Sequence, residues 1–180
     1  MIETKRLILR EMTSKDLDEL SRILTDPRTM KFWEKPFSIN QVENWIERNI
    51  KAYKQYGYGR WLVCLKEENK VIGDVGFLVV DINDKVENDL GYIIHADYWN
   101  KGYGKEAAEA CLNYGFTKLG MKRIIANMAW DHYSSIKLAK KIGMKEENEF
   151  INKRNRGILT YLYSIEKKYN INILCKEKEI

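Results

Sequence analysis

The stretch of sequence that decides the fold reads Leu90-Gly91-Tyr92-Ile93-Ile94-His95-Ala96-Asp97-Tyr98-Trp99-Asn100-Lys101-Gly102-Tyr103-Gly104-Lys105-Glu106-Ala107-Ala108. Its first part, Leu90 to Ile94, is a short apolar run typical of a strand. Asn100 to Gly104 form a turn with two glycines and a lysine. From Lys105 onward the apolar residues recur at helical spacing. The stretch therefore predicts a strand, a glycine-rich turn and a helix in succession.

A turn of this kind is suited to binding an anion. The free N–H groups of the first helical turn point outward, and the helix dipole favours negative charge there. Gly102 and Gly104 let the backbone approach a phosphate closely, and Lys101 and Lys105 add positive charge. The alternative is an ordinary strand–turn–helix connection. The turn matches neither the Walker pattern, which needs a hydroxyl after the lysine, nor the dinucleotide fingerprint, which needs a third glycine where Ala107 stands.

The residues around this turn resemble motif A of the GNAT superfamily of N-acetyltransferases, whose best-known form is Gln/Arg-x-x-Gly-x-Gly/Ala. The similarity covers Gly91-Tyr92, Tyr98 to Gly104, and Glu106-Ala107. Trp99 stands where that form has Gln or Arg. This departure resembles the branch of ribosomal-protein N-terminal (alanine/serine) acetyltransferases, where Tyr-Trp-Gly-Lys-Gly-Tyr is usual. The phrase Glu3-Thr4-x-Arg6-Leu7-x-Leu9-Arg10 is similar to the opening of the same branch.

The resemblance implies acetyl-coenzyme A as cosubstrate, with its pyrophosphate held by the turn. The cofactor-binding residues that it implies are Ile93, Ile94, His95, Asn100, Lys101, Gly102, Tyr103, Gly104, Lys105 and His132.

A second segment resembles motif B of the superfamily, Glu-Asn-x-x-Ser followed by Lys-x-Gly-Phe. Here it reads Asp131-His132-Tyr133-Ser134-Ser135-Ile136, followed by Lys141-Ile142-Gly143-Met144. His132 replaces the Asn that usually contacts the pantetheine arm, and its ring can donate or accept a hydrogen bond. Ser135 falls where the branch places a serine near the thioester sulfur; the alternative is a small residue of the first helical turn, satisfied by the backbone. The tyrosine acid frequent in the superfamily would fall at Ala139 and is absent.

Acetyl transfer to an amine also needs a base and an oxyanion donor. The candidate base is Asp89, which directly precedes Leu90 at a place where the family often has Glu. The alternatives are a solvated strand residue paired with a lysine, and proton removal by ordered water. A backbone N–H near Ile93 or Ile94, at a splayed strand end, would stabilise the oxyanion.

An irregular aromatic segment lies between the first two predicted helices and contains Phe32, Trp33 and Glu34. The resemblance implies that this segment covers the acceptor site, where Glu34 would meet an amine. The alternative is a hydrophobic plug under a loop.

The remaining pattern predicts one α/β (α+β) domain. Predicted strands cover Arg6–Glu11, Trp61–Lys66, Val71–Asp81, Val86–Ile94, Arg123–Ala129, Glu147–Ile151 and Leu159–Ile165. Helices are expected after Leu17, after the capping box Ser38-x-x-Gln41, from Lys105, and from Ser135 to a stop at Gly143. The order βααβββαβαββ is the GNAT order, with a mixed, mostly antiparallel twisted sheet of about seven strands and about four helices. The domain is expected over residues 1–168, followed by a charged tail over 169–180.

Composition excludes several other classes. The net charge of +5 comes from 31 basic and 26 acidic residues that are mixed along the chain, which argues against a nucleic-acid arm. Cys64, Cys111 and Cys175 lie far apart, and with two histidines they form no metal-binding spacing. No secretory leader and no apolar run of about 20 residues is visible, so we expect a protein of the reducing cytoplasm without a membrane partner.

The sequence thus predicts a cytoplasmic N-acetyltransferase that joins acetyl-coenzyme A to a primary amine by direct attack in a ternary complex. Branch resemblance favours a protein N-terminal α-amine, and the alternative is a small-molecule amine such as a metabolite or drug. A non-catalytic coenzyme A-binding module is a third hypothesis, because His132 and Ala139 depart from the pattern. A Rossmann nucleotide-binding protein is a distant fourth, with Asp131 as its one candidate ribose ligand. The sequence does not indicate an oligomeric state.

Overall fold

The structure is a computed structural model that describes residues 1–82, 85–153 and 156–167. Its strands are β1 (Ile2–Glu3), β2 (Leu7–Arg10), β3 (Arg60–Leu65), β4 (Lys70–Ile82), β5 (Lys85–Ile94), β6 (Arg123–Ala129), β7 (Lys145–Asn152) and β8 (Ile158–Glu166). Its α-helices are α1 (Leu17–Leu24), α2 (Ile39–Tyr56), α3 (Tyr103–Thr117) and α4 (Tyr133–Lys141), and short 3-10 turns cover Ser14–Asp16 and Ala96–Tyr98.

The strands form one sheet in the order β1-β2-β3-β4-β5-β6-β8-β7. Neighbouring strands are antiparallel except β5 and β6, which are parallel. This confirms the predicted mixed, mostly antiparallel sheet. The sheet has eight strands in the described chain rather than about seven, because the two-residue β1 pairs with β2 and is too short to show an alternating pattern. β2 is shorter than predicted, since the Arg6 N–H donates to the Glu106 carboxylate.

The start of α2 and the end of α4 follow the predicted signals, whereas α3 and α4 each begin two residues earlier than predicted, at Tyr103 and Tyr133. Ser38 and Gln41 form the expected capping box, with the Gln41 N–H donating to Ser38 Oγ (3.3 Å) and the Ser38 N–H donating to Gln41 Oε1 (2.8 Å). Gly143 follows α4 with a φ of 87°, a left-handed conformation that glycine adopts without strain.

The sheet separates two apolar layers. α3 and α4 pack on one face around Phe77, Ile124 and Tyr163. α1 and α2 pack on the other face around Leu62 and Met30. Because side chains alternate along a strand, β5 contributes side chains to both apolar layers. It therefore lies between the two layers, at the centre of the molecule.

β5 and β6 diverge beyond their single registered pair, Asp89 with Ile125. From there Leu90 to Ile94 stay paired with β4 alone. The His95 N–H donates to the Ile72 carbonyl on the β4 side (2.8 Å). Since consecutive strand amides point to opposite edges, the Ile94 N–H faces the gap between β5 and β6.

No helix in the described parts of the chain is long and apolar enough to cross a bilayer. The predicted tail over 169–180 and part of the last hairpin turn (154–155) lie outside the described residues.

Candidate active site

The turn before α3 presents backbone N–H groups without partners from the helix. Gly102 is the N-cap, with a left-handed φ of 83°, and no side chain caps the helix. Asn100 is also left-handed, with a φ of 61°. The first N–H groups of a helix, here those of Tyr103, Gly104 and Lys105, have no intrahelical acceptor. Together these features are suited to holding an anion.

Glu106 fixes this turn to the start of the chain. Its carboxylate accepts hydrogen bonds from Thr4 Oγ1 (2.6 Å), from the Arg6 N–H (2.8 Å) and from Arg6 Nε (2.7 Å). Arg6 Nη1 donates to the Lys101 carbonyl (3.0 Å), and Trp99 Nε1 donates to the Ile94 carbonyl (2.6 Å). These hydrogen bonds hold the turn against the start of the chain and the end of β5.

A first cavity of about 510 Å³ opens beside the turn. Its wall includes four lysines, Lys31, Lys105, Lys137 and Lys141, and no described acidic residue. The first turn of α4 closes the other side. Lysine side chains and free backbone amides thus face the same cavity, and this favours a polyanionic ligand.

A second cavity of about 560 Å³ lies on the other side of the β5 end. Its charged lining residues are Arg48, Arg60, Lys153, Asp81 and Asp89. Arg60 is 4% exposed and forms a buried ion pair with Asp74. The charges of this cavity are mixed, in contrast to the uniformly basic first cavity.

The two cavities adjoin at Trp33, Tyr92, Ile93, His132 and Ser135, which line both. Ser135 is 8% exposed, and its Oγ is 2.7 Å from the Tyr92 hydroxyl. The Tyr92 hydroxyl also donates to the Ser135 carbonyl (3.1 Å). Burial raises the pKa of Tyr92 to about 12, so it is protonated at neutral pH.

His132 is held as a neutral ring. It stacks on Phe32 with ring centroids 3.6 Å apart and an interplanar angle of 18°. Burial lowers the pKa of His132 from 6.5 to about 4, with the Asp131 charge opposing and the Lys31 charge adding to the shift. His132 is therefore not an isolated surface residue.

Asp89 lies in the second cavity with a raised pKa. Burial lifts the pKa of its carboxyl from 3.8 to about 6, and the Asn127 N–H, which donates to Asp89 Oδ1 (3.1 Å), opposes the shift. Within the described chain no lysine is its partner. Its interpretation as a solvated strand residue paired with a lysine is therefore not supported.

The other predicted residues divide between the site and its surroundings. Residues that line the first cavity are Phe32, Trp33, Ile93, Ile94, Asn100, Gly102, Tyr103, Gly104, Lys105 and His132. His95 lies outside both cavities, with Nε2 3.7 Å from the Asp26 carboxylate. Lys101 also lies outside them, with Nζ 5.3 Å from the centre of the Tyr98 ring. Glu34 is exposed and lines neither cavity.

Some lining residues were not identified from the sequence. Tyr92 belongs to the quoted motif, but the sequence gives no sign that its hydroxyl meets α4, 43 positions later. Lys137 and Lys141 carry a usable signal, since they are four residues apart and share a helix face with Ser134. Lys31 comes from a segment without a regular pattern.

The described residues contain no cluster of three or more His, Cys, Asp or Glu side chains arranged to hold a metal ion.

Comparison with known proteins agrees with this geometry. The model of the acetyltransferase (GNAT) domain family matches residues 6–145, and the chain therefore belongs to the GNAT family. It is an N-acetyltransferase of the kind that uses acetyl-coenzyme A. The chain is 33% identical to the uncharacterized N-acetyltransferase YnaD of Bacillus subtilis (strain 168), over 94% of this chain and 99% of that protein.

Solved structures share the fold. A GNAT-family acetyltransferase from Bacillus anthracis superposes with a TM-score of 0.78 and 28% identity, covering 92% of this chain and 97% of that one. RimL, a ribosomal L7/L12 α-N-protein acetyltransferase in complex with coenzyme A, superposes with a TM-score of 0.76 and 16% identity, covering 91% and 95%. At 16% identity this similarity is evidence for a shared fold only.

Proposed function

We propose that this N-acetyltransferase transfers the acetyl group of acetyl-coenzyme A to the N-terminal α-amine of a protein, by direct attack in a ternary complex. The observation that carries the proposal is the meeting of a uniformly basic cavity and a mixed-charge cavity at Tyr92 and Ser135. Each substrate would have its own cavity, and the reacting atoms would meet where the cavities adjoin.

The first cavity fits acetyl-coenzyme A. The free amides at Gly102–Lys105 and the four lysines would hold phosphate groups. A Cβ on Gly104 would lie 3.5 Å from Leu138 Cδ1 and 3.7 Å from Ile94 Cγ1, which is ordinary contact, so the fold itself leaves room for a side chain there. A phosphate that approaches the backbone would give glycine a role at this position that the fold does not. His132, Ile93 and Ile94 would line the path of the pantetheine arm.

The residues at the junction supply the chemistry. Asp89 would accept the proton of the amine, and a base with a pKa of about 6 is largely ionised at neutral pH. The Ile94 N–H, which faces the gap between β5 and β6, would donate to the oxyanion. Ser135 would donate to the departing thiolate.

The length of the second cavity favours a peptide as acceptor. Its lining reaches from Ile93, which is registered with Asp74, to Ile82 at the far end of β4. Eight residue steps along β4 correspond to about 26 Å. An extended N-terminal segment would fill this length, whereas a small-molecule amine, the alternative acceptor, would occupy one end of it.

An acceptor screen tests the proposal. The full chain would be incubated with acetyl-coenzyme A and serine- or alanine-led peptides, each as dipeptide and hexapeptide, and acetyl gain would be read by mass spectrometry. Matched peptides with a blocked N-terminus and an internal lysine are the control, and tyramine and spermidine represent small amines. We expect acetylation at the free N-terminus, with kcat/KM higher for the hexapeptide. A higher kcat/KM for a small amine would contradict the peptide proposal and favour the alternative.

The proposed location is the cytoplasm. Cys64 and Cys111 are buried free thiols, and buried reduced cysteines are common in a reducing compartment.

A further inference from the structure

The hydrogen-bonded pair of Tyr92 and Ser135 joins two elements at the boundary of the cavities. Tyr92 lies in the part of β5 that is paired with β4 but not with β6, and Ser135 lies in the first turn of α4. The two hydroxyl oxygens are 2.7 Å apart, and either can be the donor. Because a phenol carries one proton, the Tyr92 hydroxyl donates to the Ser135 carbonyl (3.1 Å) in one arrangement and to Ser135 Oγ in the other, and both arrangements hold the ring against the helix.

We propose that Tyr92 is a positioning residue that orients the Ser135 hydroxyl and supplies a proton through it to the leaving thiolate. This inference rests on the proposed acetyl transfer. It assigns a role to a side chain that the sequence motifs leave without one.

The proposed step balances as follows. The amine nitrogen forms a bond to the acetyl carbon, the carbon–sulfur bond breaks, and its electron pair goes to sulfur. The sulfur takes the Ser135 hydroxyl proton, and Ser135 Oγ takes the Tyr92 hydroxyl proton. The proton lost by the amine goes to Asp89 and returns to the Tyr92 oxygen through solvent. The products are the amide and the free thiol of coenzyme A.

A tyrosine that is hydrogen-bonded to Ser135 would make the serine a better proton donor. An aliphatic alcohol is a weaker acid than a phenol, so Ser135 alone would be a poor proton source. Tyr92 is protonated at neutral pH, as a tyrosine already is at its ordinary pKa of 10, so its proton is available at every turnover. At Ala139, where a helix tyrosine could act, the side chain is fully buried in the core and has no hydroxyl.

The geometry also limits the alternatives. Tyr92 is half-buried, and both of its described hydrogen bonds go to Ser135. Its hydroxyl does not join β5 to a neighbouring strand, so sheet pairing does not require it. A purely structural tyrosine would instead anchor α4, and its removal would lower stability without a specific effect on the leaving group.

The test compares wild type with Tyr92→Phe, Ser135→Ala and the double variant. Tyr163→Phe is the matched control, since it removes a hydroxyl with an equally short hydrogen bond, 2.7 Å to Glu146, outside both cavities. The reaction is thiol release from acetyl-coenzyme A with hydroxylamine, which is largely unprotonated at neutral pH and can pass the proton that it loses on attack to solvent. Background release without enzyme is subtracted.

We expect Tyr92→Phe to lower kcat by about 10- to 150-fold, the value of a hydrogen bond to a developing charge, with little change in KM for acetyl-coenzyme A. In the Ser135→Ala background the same change should have little further effect, because Tyr92 acts through Ser135. Tyr163→Phe should keep the wild-type kcat.

A measurement without turnover completes the test. The pKa of the bound coenzyme A thiol, followed by thiolate absorbance, should be lower on wild type than on Tyr92→Phe, because the pair donates to the thiolate. Equal kcat for Tyr92→Phe and Tyr163→Phe, or additive losses in the double variant, would overturn the proposed role of Tyr92. Neither result would contradict the proposed acetyl transfer. If wild type does not accelerate thiol release with hydroxylamine or with any acceptor of the peptide screen, the proposed acetyl transfer itself falls.

Discussion

Replacing Gly104 by alanine is expected to separate folding from coenzyme A binding. The new Cβ would meet Leu138 and Ile94 at 3.5 and 3.7 Å, distances of ordinary contact. Gly104 lies in the first turn of α3, where alanine is preferred over glycine by up to about 1 kcal/mol. For a chain of this size that gain corresponds to a rise of about 2–4 °C in Tm.

Gly102→Ala is the matched comparison, because there the backbone itself requires glycine. Its φ is +83°, and an added Cβ would lie 3.3 Å from Arg6 Nη2. A left-handed conformation costs an alanine about 1–2 kcal/mol. Gly102→Ala should therefore lower Tm while Gly104→Ala raises it.

Both variants should lose coenzyme A affinity in spite of their opposite effects on stability. At Gly104 the methyl group would lie beside Leu138 and Ile94, which line the first cavity, and would narrow the approach of a phosphate to the backbone. Loss of one hydrogen bond to a charged group corresponds to about 10- to 150-fold in Kd. Calorimetric titration with coenzyme A gives Kd, and scanning calorimetry gives Tm. Unchanged Kd in folded Gly104→Ala and Gly104→Val would refute the assignment of the phosphate site to this turn.

Three further predictions concern the junction and the base. Ser135→Ala should lower kcat by about 10- to 10,000-fold, more than it raises KM for acetyl-coenzyme A, and unchanged turnover would leave Ser135 a helix residue only. Because the pKa of His132 is about 4, coenzyme A affinity should show no histidine titration between about pH 5.5 and 8. His132→Ala should weaken binding by about 0.5–1.5 kcal/mol and His132→Asn should not; an inflection near the ordinary pKa of 6.5 would contradict the buried ring. Asp89 should give a rising limb in kcat/KM as pH increases through about 6, and this limb should disappear in Asp89→Asn. Since the folded pKa of Asp89 lies above its ordinary value of 3.8, wild type loses stability as pH rises from 3.8 to about 6, so Asp89→Asn should unfold at a higher temperature than wild type above pH 6.

The elements of the fold could be predicted because their signals are local. The change of apolar period at Lys105 indicates α3, which begins two residues earlier at Tyr103, and Ser38 with Gln41 marks the start of α2. Strand β1 could not be predicted, since two residues carry no period and its pairing with Leu9 depends on a turn at Arg6. The turn itself is fixed by Glu106, 100 positions after Arg6.

The members of the candidate site could be predicted segment by segment, whereas the contacts between the segments could not. Gly102, Gly104 and Lys105 line the first cavity as expected from their motif. The stack of Phe32 on His132 and the contact of Tyr92 with Ser135 join segments far apart in the chain, and their distances depend on how the helices pack on the sheet. Such contacts leave no periodic pattern in the sequence.

The topology explains why the basic cavity, the free amides and the paired hydroxyls lie together. β5 and β6 are the parallel pair of the sheet, and each leads, past its carboxyl end, into a helix: β5 into α3 and β6 into α4. Parallel strands place their carboxyl ends at the same edge, so the amino ends of both helices face one crevice. Divergence of the strands after Asp89 opens that crevice and frees the Ile94 N–H. The anion site at Gly102, the Ser135 hydroxyl and the open strand edge therefore follow from a single feature, a parallel pair that separates after one registered residue.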